Sequence, residues 1–331
     1  MVSPESCASK LSKSILTHDT DAIKQYYDIG DVQNWRKNTR GLVNKTYEID
    51  NQFFLTAYQK RSREELEAVA QIANGMDSSI PTVRPQRGRD GYSMDTVEGH
   101  ALLAPRLPGQ HYVGRLHTDK YPIPEALHLE LATFFWKLQG GLSAAPENLK
   151  DQLRSPSRAT IGKMPEQLPD IAKPLERFGP SQGIPEYRYP DLVHGDLERQ
   201  NILSGDNTVT GVVDLDSIRA GDILYEYGHF LFNNVCCDPQ ADNSTAQVYI
   251  DTLRDSGRID PRDIPSLYGH IYHFAVSDIV DFKDLTDNYK GDPKDIIDLE
   301  LLVTQYEQAL QFASDFFRPQ SKSVTIFEAQ T

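Results

Sequence analysis

The sequence predicts an α+β protein in which a small antiparallel sheet comes first and a mainly helical part follows. Three observations carry that prediction. In the first third of the chain, strand-like runs alternate with turn residues, as in Tyr47 to Tyr58 around Asp50-Asn51. From about Tyr112 onward apolar residues recur at helical spacing, most plainly from Pro124 to Gln139. Between them stands Leu192 to Gly228, which holds a polar loop, a tight hairpin and two acidic clusters. The divisions predicted are a flexible N-terminus over 1–20, a sheet part over 21–108, a helical part over 109–317 and a loose tail over 318–331.

Taken in order, residues 1–20 are Ser-rich, and Asp19 to Tyr27 supplies an N-cap and a short amphipathic turn. Asn38 to Thr46 reads as the polar turn of a first hairpin, and Tyr47 to Tyr58 as two further strands. Ser62 with Glu65 three residues on forms a capping box, and Leu66, Val69, Ala70, Ile72 and Ala73 mark the buried stripe of the helix it opens. Ile80 to Pro85 reads as an extended entry to a strand, because each Pro pushes its predecessor out of the helical region. Asp90-Gly91 marks a turn and His100 to Gly109 the last strand of this part.

In the second part, Leu127, Leu131, Phe134, Phe135 and Leu138 form a helical core stripe, closed by Gly140-Gly141, with His128 on the surface. Seven proline pairs between Ala145 and Pro190 interrupt any long helix there. Tyr225 to Val235, Asn243 to Thr252, Leu267 to Phe282 and Asp295 to Leu310 read as helices. On the third of these, His270, His273, Asp278 and Asp281 read as satisfied helix polar groups, or else as a site for a cationic or hydroxylated acceptor.

Composition narrows the function. The 331 residues carry a formal net charge of −14, which excludes nucleic acid as a general partner, since such binding draws on basic surface. Cys7, Cys236 and Cys237 are an odd set without metal-type spacing, as expected in a reducing compartment. No apolar run is long enough to span a membrane, and Met1 to Lys13 lacks the apolar core of a secretory signal. Those features predict a cytoplasmic protein of unknown oligomeric state.

The chemistry concentrates in Leu192 to Gly228. Leu192-Val193 leads into His194-Gly195-Asp196, a polar loop follows, and Ser204-Gly205-Asp206-Asn207 turns a hairpin whose return strand is Val209 to Val213. Asp214 and Asp216, two apart on an extended segment, would project from one face. The fold-back would bring Asp196, Asn201 and Asp214 to one edge. Those groups match phosphoryl transfer, which needs one carboxylate to take the acceptor's proton and oxygen ligands to hold Mg²⁺ on nucleotide phosphates. Asp196 is the candidate base, Asn201 and Asp214 the candidate metal ligands.

His194 to Asn201, then Val212 to Asp216, then Ala220-Gly221-Asp222 through Tyr225-Glu226, together resemble the aminoglycoside phosphotransferase and choline kinase superfamily, relatives of the protein kinases. Within it the loop is most similar to type II homoserine kinases, which also carry an Arg two residues before the Asn. The resemblance implies a protein-kinase-like two-lobed fold, an ATP-dependent small-molecule kinase and Mg²⁺. It places Arg199 near the γ-phosphate, where a cation stabilises spread charge. It also implies that a loop around Gly41 and Asn44 covers the phosphates and that adenine meets the backbone from Ala104 to Leu107. Thr56 stands where kinases usually carry a Lys, as in homoserine-kinase-like members, leaving Lys45, Lys60 and Arg106 as the nearby cations. Asp222 and Glu226 resemble the pair of acids that braces the family's catalytic loop, with Glu in place of the second Asp. The role of Asp216 stays open.

Two functions follow as expectations. One is a kinase for a hydroxyl on a homoserine-like amino acid, an amino sugar or an aminoglycoside-type acceptor; the other is a catalytically silent nucleotide-binding or regulatory module. Retention of Asp196, Asn201 and Asp214 together favours the first, because a binding module has no need of the base.

Overall fold

The computed structural model describes residues 20–38, 44–111, 122–153, 169–180, 188–288 and 298–328. Gly41 with its turn, the N-terminal stretch before Thr20, the proline pairs at Ser155 and Met164, and the start of the helix read at Asp295 lie outside them. Contacts divide the chain into two compact units, Met1–Gly75 with Thr82–Leu107, and Met76–Pro81 with Pro108–Thr331.

The first unit is a sheet with a helix on each face. Residues 20–27 are helical (α1). The strands are β1 (Trp35–Asn38), β2 (Lys45–Ile49), β3 (Phe53–Tyr58), β4 (Ser93–Thr96) and β5 (Gly99–Pro105), in the order β1-β2-β3-β5-β4, with every neighbouring pair antiparallel. Asp50 and Asn51 turn β2 into β3 with left-handed backbones (φ +49° and +56°), the conformation a tight hairpin asks of its centre. Period-two alternation then sorts the strands. Tyr47, Ile49, Leu55, Ala57, Ala101 and Leu103 meet Ile23 and Tyr27 of α1, while Tyr58 and Leu102 meet Leu66 and Ala70 of α2 (Arg63–Gly75).

The capping box of α2 forms as expected: Glu65 N–H donates to Ser62 Oγ at 3.2 Å and Ser62 N–H to Glu65 Oε2 at 2.9 Å. One turn on, Glu67 accepts from the amides of Tyr92 and Ser93, the latter at 2.6 Å, and so fixes the approach to β4. Ile80 to Pro85 departs from expectation. It makes only a single bridge, at Thr82, because its prolines lack the N–H groups a ladder needs.

The second unit is mainly helical. Its core centres on α3 (Glu125–Ser143), where Leu127, Leu131, Phe134, Phe135 and Leu138 are all buried. Phe135 packs edge-on against Tyr227 at 4.8 Å. Two expectations fail on this helix. His128 is buried, its Nδ1 at 3.1 Å from the Tyr249 hydroxyl, because α3 also packs against α6 (Asn243–Asp255). The helix also runs through Gly140-Gly141, and a side chain at Gly141 would meet Ile80 Cδ1 at 2.8 Å.

After α3 come α4 (Glu147–Leu153) and a 3₁₀ turn, Asp170–Phe178. Strands β7 (Pro190–Val193) and β10 (Arg219–Asp222) pair with each other, and β6 (Gln110–His111), β8 (Ile202–Gly205) and β9 (Thr208–Val212) form a three-stranded sheet in the order β6-β8-β9. Asp206 and Asn207, both left-handed, make the predicted β8–β9 turn. Then follow α5 (Ile223–Leu231), a π-turn at Phe232–Cys236, α6, α7 (Leu267–Asn288) and α8 (Leu299–Glu328). The backbone of α8 stays helical past Phe317, where a loose tail is expected from sequence. Among the described residues no helix is long and apolar enough to cross a membrane.

Candidate active site

The strand β7 delivers His194-Gly195-Asp196 into a loop that is anchored at nearly every residue. Gly195 has φ +81°, and a Cβ there would lie 2.4 Å from Ser217 O, so only glycine fits. Its N–H donates to Glu226 Oε1 at 3.0 Å and its carbonyl accepts from Arg219 Nη2 at 2.9 Å. Thus both sides of the peptide before the candidate base are held by side chains from further along the chain.

Asp196 and Asn201 are joined directly. Asn201 Nδ2 donates to Asp196 O at 2.8 Å and to Asp196 Oδ2 at 2.9 Å. Asn201 O in turn accepts from Val213 N–H at 2.9 Å, which ties the loop to the residue before Asp214. The three candidate groups are therefore linked in series.

One detail of the sequence reading is overturned here. Asp214 and Asp216 do not share the face of an extended strand: β9 stops at Val212, and Asp214 has a left-handed backbone (φ +63°) that opens the 3₁₀ turn Leu215–Ser217. The reason is local. The β8–β9 pairing runs one step past Ile202–Val212, with Val213 N–H donating to Asn201 O, and the left-handed backbone of Asp214 then turns the chain.

Arg199 is also corrected. Its guanidinium has Nε donating to Asn233 O at 2.6 Å and Nη2 at 3.7 Å from Asp238 Oδ2. Asp238 also accepts from Ile123 N–H at 2.8 Å, so Arg199 ties the loop to the helical core.

The electrostatics follow from enclosure. Burial pushes the Asp196 carboxyl well above the usual range, the charges of Glu198 and Asp214 add to this, and His229 and the Asn201 hydrogen bond oppose it. Burial also drives His194 down to about 4. It is therefore neutral near pH 7, and its Nε2, 3.2 Å from Val213 O, must be the protonated nitrogen. Glu198 rises to about 7 for the same reason.

The expected bracing acids are both in use. Asp222, 1% exposed, caps α5 by accepting from Leu224 and Tyr225 N–H, and also accepts from Arg188 and Tyr189 N–H ahead of β7. Glu226 holds Gly195 despite replacing Asp.

In the first unit, Thr56 and Ala104 project from the same face of the sheet, beside Thr46, whose Oγ1 lies 3.2 Å from that of Thr56. Asn44 and Leu107 are not brought together with each other: they flank opposite ends of β3. Of the nearby cations, Lys45 pairs with Glu98 at 3.1 Å and Arg106 with Glu48.

Sequence reasoning missed Glu198, Arg219 and His229. The available signal was spacing: Asp222, Glu226 and His229 fall four and then three residues apart, one face of a helix.

Comparison with known proteins bears on this geometry. A family model described as "Phosphotransferase enzyme family" matches residues 34–261. Homoserine kinase of Pseudomonas aeruginosa strain LESB58 is 24% identical over 221 residues, 60% of this chain and 64% of that protein's length. The GDP complex of aminoglycoside 2'-phosphotransferase-IIIa superposes with a TM-score of 0.59 at 16% identity, over 88% of this chain and 98% of its own. Spectinomycin phosphotransferase with ADP and spectinomycin gives 0.60 at 12% identity, over 90% and 97%. An amicoumacin kinase with AMP-PNP and Ca²⁺ gives 0.62 at 12%, over 90% and 95%. At these identities the likeness is one of fold, and the fold is protein-kinase-like.

Proposed function

The chain belongs to the phosphotransferase enzyme family, and from that premise we propose that it transfers the terminal phosphoryl of ATP to a hydroxyl of a small molecule. Asp196 is the base, and Asn201 and Asp214 hold Mg²⁺. The observation that carries the reading is the direct contact between base and metal ligand, Asn201 Nδ2 to Asp196 Oδ2 at 2.9 Å.

The donor set suits the ion. With the amide nitrogen of Asn201 committed to Asp196, its oxygen is the atom left for a cation, and Asp214 adds a carboxylate; Mg²⁺ prefers such hard oxygens. When bound, the ion neutralises charge on the nucleotide phosphates. The chain's own part is positioning and proton transfer. Asp196 accepts a hydrogen bond from the acceptor hydroxyl and takes its proton as the oxygen attacks. Burial raises its proton affinity above that of an exposed carboxylate, which favours taking up the proton. Asn201 fixes the carboxylate's orientation, and the Glu226 and Arg219 contacts to Gly195 fix the backbone beneath it.

The similarity to homoserine kinase supports an amino acid hydroxyl as the first acceptor to try, with amino sugars and aminoglycosides next. The chain spans 64% of that relative's length, so the acceptor is part of the proposal. The test is a panel of such acceptors incubated with MgATP or MgGTP, reading nucleoside diphosphate release and the mass of the phosphorylated product. One acceptor should give turnover, and Asp196→Ala should lower it by roughly 10²–10⁴ with melting temperature and nucleotide affinity retained. Unchanged turnover in that variant excludes the assignment. Nucleotide binding without turnover on any acceptor would instead favour the silent module.

A further inference from the structure

Glu198, between Asp196 and Asn201, is held by both its backbone and its side chain. Its N–H donates to Asp196 O at 3.0 Å and its carbonyl accepts from Asn201 N–H at 2.9 Å. Its carboxyl oxygens meet Gln200 Nε2 at 3.1 Å and His229 Nε2 at 3.2 Å. Side-chain atoms of Asp196, Glu198 and His229 all lie within 4.8 Å of one another.

His229 is itself immobilised. It is 4% exposed on α5, and its ring lies flat on Phe274 of α7, centroids 3.7 Å apart and planes 20° from parallel. Its carbonyl accepts from Asn233 Nδ2 at 3.3 Å. With the ring stacked in this way, its Nε2 lies 3.2 Å from Glu198 Oε1. Burying a carboxyl and an imidazole together is unfavourable unless each satisfies the other, so such a pair commonly serves geometry more than stability.

We propose that His229 is a positioning residue for phosphoryl transfer: it holds the Glu198 carboxyl and, through it, the backbone that sets Asp196 against Asn201. The proposal rests on the phosphotransferase reading above. Without the imidazole, Glu198 Oε1 loses the hydrogen bond that ties it to α5, and the two backbone hydrogen bonds on either side of the residue slacken. A displacement of the base by a fraction of an ångström then reduces the rate, because misplacement of about 1 Å can lower it about 10²-fold. Nucleotide affinity does not pass through His229 in this arrangement, so the effect falls on kcat.

The test uses the full chain with MgATP, L-homoserine as the probe acceptor, and ATP hydrolysis without acceptor measured alongside. His229→Phe keeps the ring against Phe274 but removes the donor. Its kcat should fall about 10–100-fold, the range seen when a supporting partner of a reacting group is lost, with KM for ATP within about twofold of the wild type. His229→Gln, which returns an N–H near the same place, should recover kcat to within about fivefold. If His229→Phe does not fold, His229→Asn, whose amide is too short to reach Glu198, replaces it with the same expectation. A kcat within about threefold of the wild type in the donor-less variant, or a His229→Gln as slow as His229→Phe, overturns the proposal. A wild-type protein that neither transfers to any acceptor nor hydrolyses ATP would instead overturn the phosphotransferase reading itself.

Discussion

Replacing Asp222 by Ala should be among the most damaging single changes outside the reacting groups. Its Oδ1 accepts from Leu224 N–H at 2.9 Å and Tyr225 N–H at 3.0 Å; its Oδ2 accepts from Arg188 N–H and Tyr189 N–H, both at 2.7 Å. The first two donors are buried and would be orphaned, at roughly 1–3 kcal/mol each. The other two are only partly buried and recover water, so they add little. The sum is about 4 kcal/mol, a large share of the 5–15 kcal/mol that typically holds a domain. Asp222→Asn keeps one acceptor oxygen for the buried pair and should cost about 1–2 kcal/mol. Chemical denaturation measures the loss, and amide hydrogen exchange at Leu224 and Tyr225 locates it. An Ala variant within about 1 kcal/mol of the wild type, or an Asn variant as unstable as Ala, would refute the reasoning from orphaned donors.

Other changes follow from the same geometry. Gly195→Ala must accept φ +81° and a Cβ 2.4 Å from Ser217 O, so it should lose at least about 1–3 kcal/mol of stability and, with the Glu226 contact displaced, most of its turnover. Thermal melting and steady-state kinetics check both. Asn201→Ala and Asp214→Ala should raise the Mg²⁺ concentration for half-maximal rate about 10–100-fold, read by titrating the ion at fixed ATP. Glu198 titrates near 4.5 when unfolded and at about 7 when folded, so the unfolded chain sheds the proton first as pH rises. Its contribution is therefore fully present below 4.5 and lost by the time pH passes 7, and at about 1.4 kcal/mol per pH unit this interval is worth roughly 3 kcal/mol. Glu198→Gln should lack that decline in stability-against-pH curves, and an unaltered curve would contradict the buried, protonated Glu198.

Much of the fold was legible because it depends on local chemistry. Asp50-Asn51 and Asp206-Asn207 announce their turns since few other residues accept left-handed backbone, and Ser62 with Glu65 announces its helix. The adjacency of Asp196 and Asn201 was readable from five-residue spacing within one loop. What was hidden depends on partners distant in sequence. Arg199 looked like a phosphate ligand because its neighbours in the loop are reactive, yet Asp238 and Asn233 claim it. His128 looked exposed because nothing on α3 foretells Tyr249. The extended segment read at Asp214 ends instead in a left-handed residue and a 3₁₀ turn, one position after the last β8–β9 hydrogen bond, that of Val213 to Asn201. A hydrophobic period reports which face of a segment is apolar, and it is silent on which polar partner ends it.

Helix α5 presents Asp222, Glu226 and His229 to three consecutive parts of the chain: the entry to β7, the glycine before the base, and the acid after it. The loop thus takes three of its anchors from one short helix, beside those that Arg219 and Val213 supply. Substitutions that tilt this helix, even from its far side against α7, should disturb all three anchors in unison, whereas insertions between α4 and β7 leave it untouched. Such an arrangement lets the outer connections vary in length while the placement of the Asp196 carboxyl is kept.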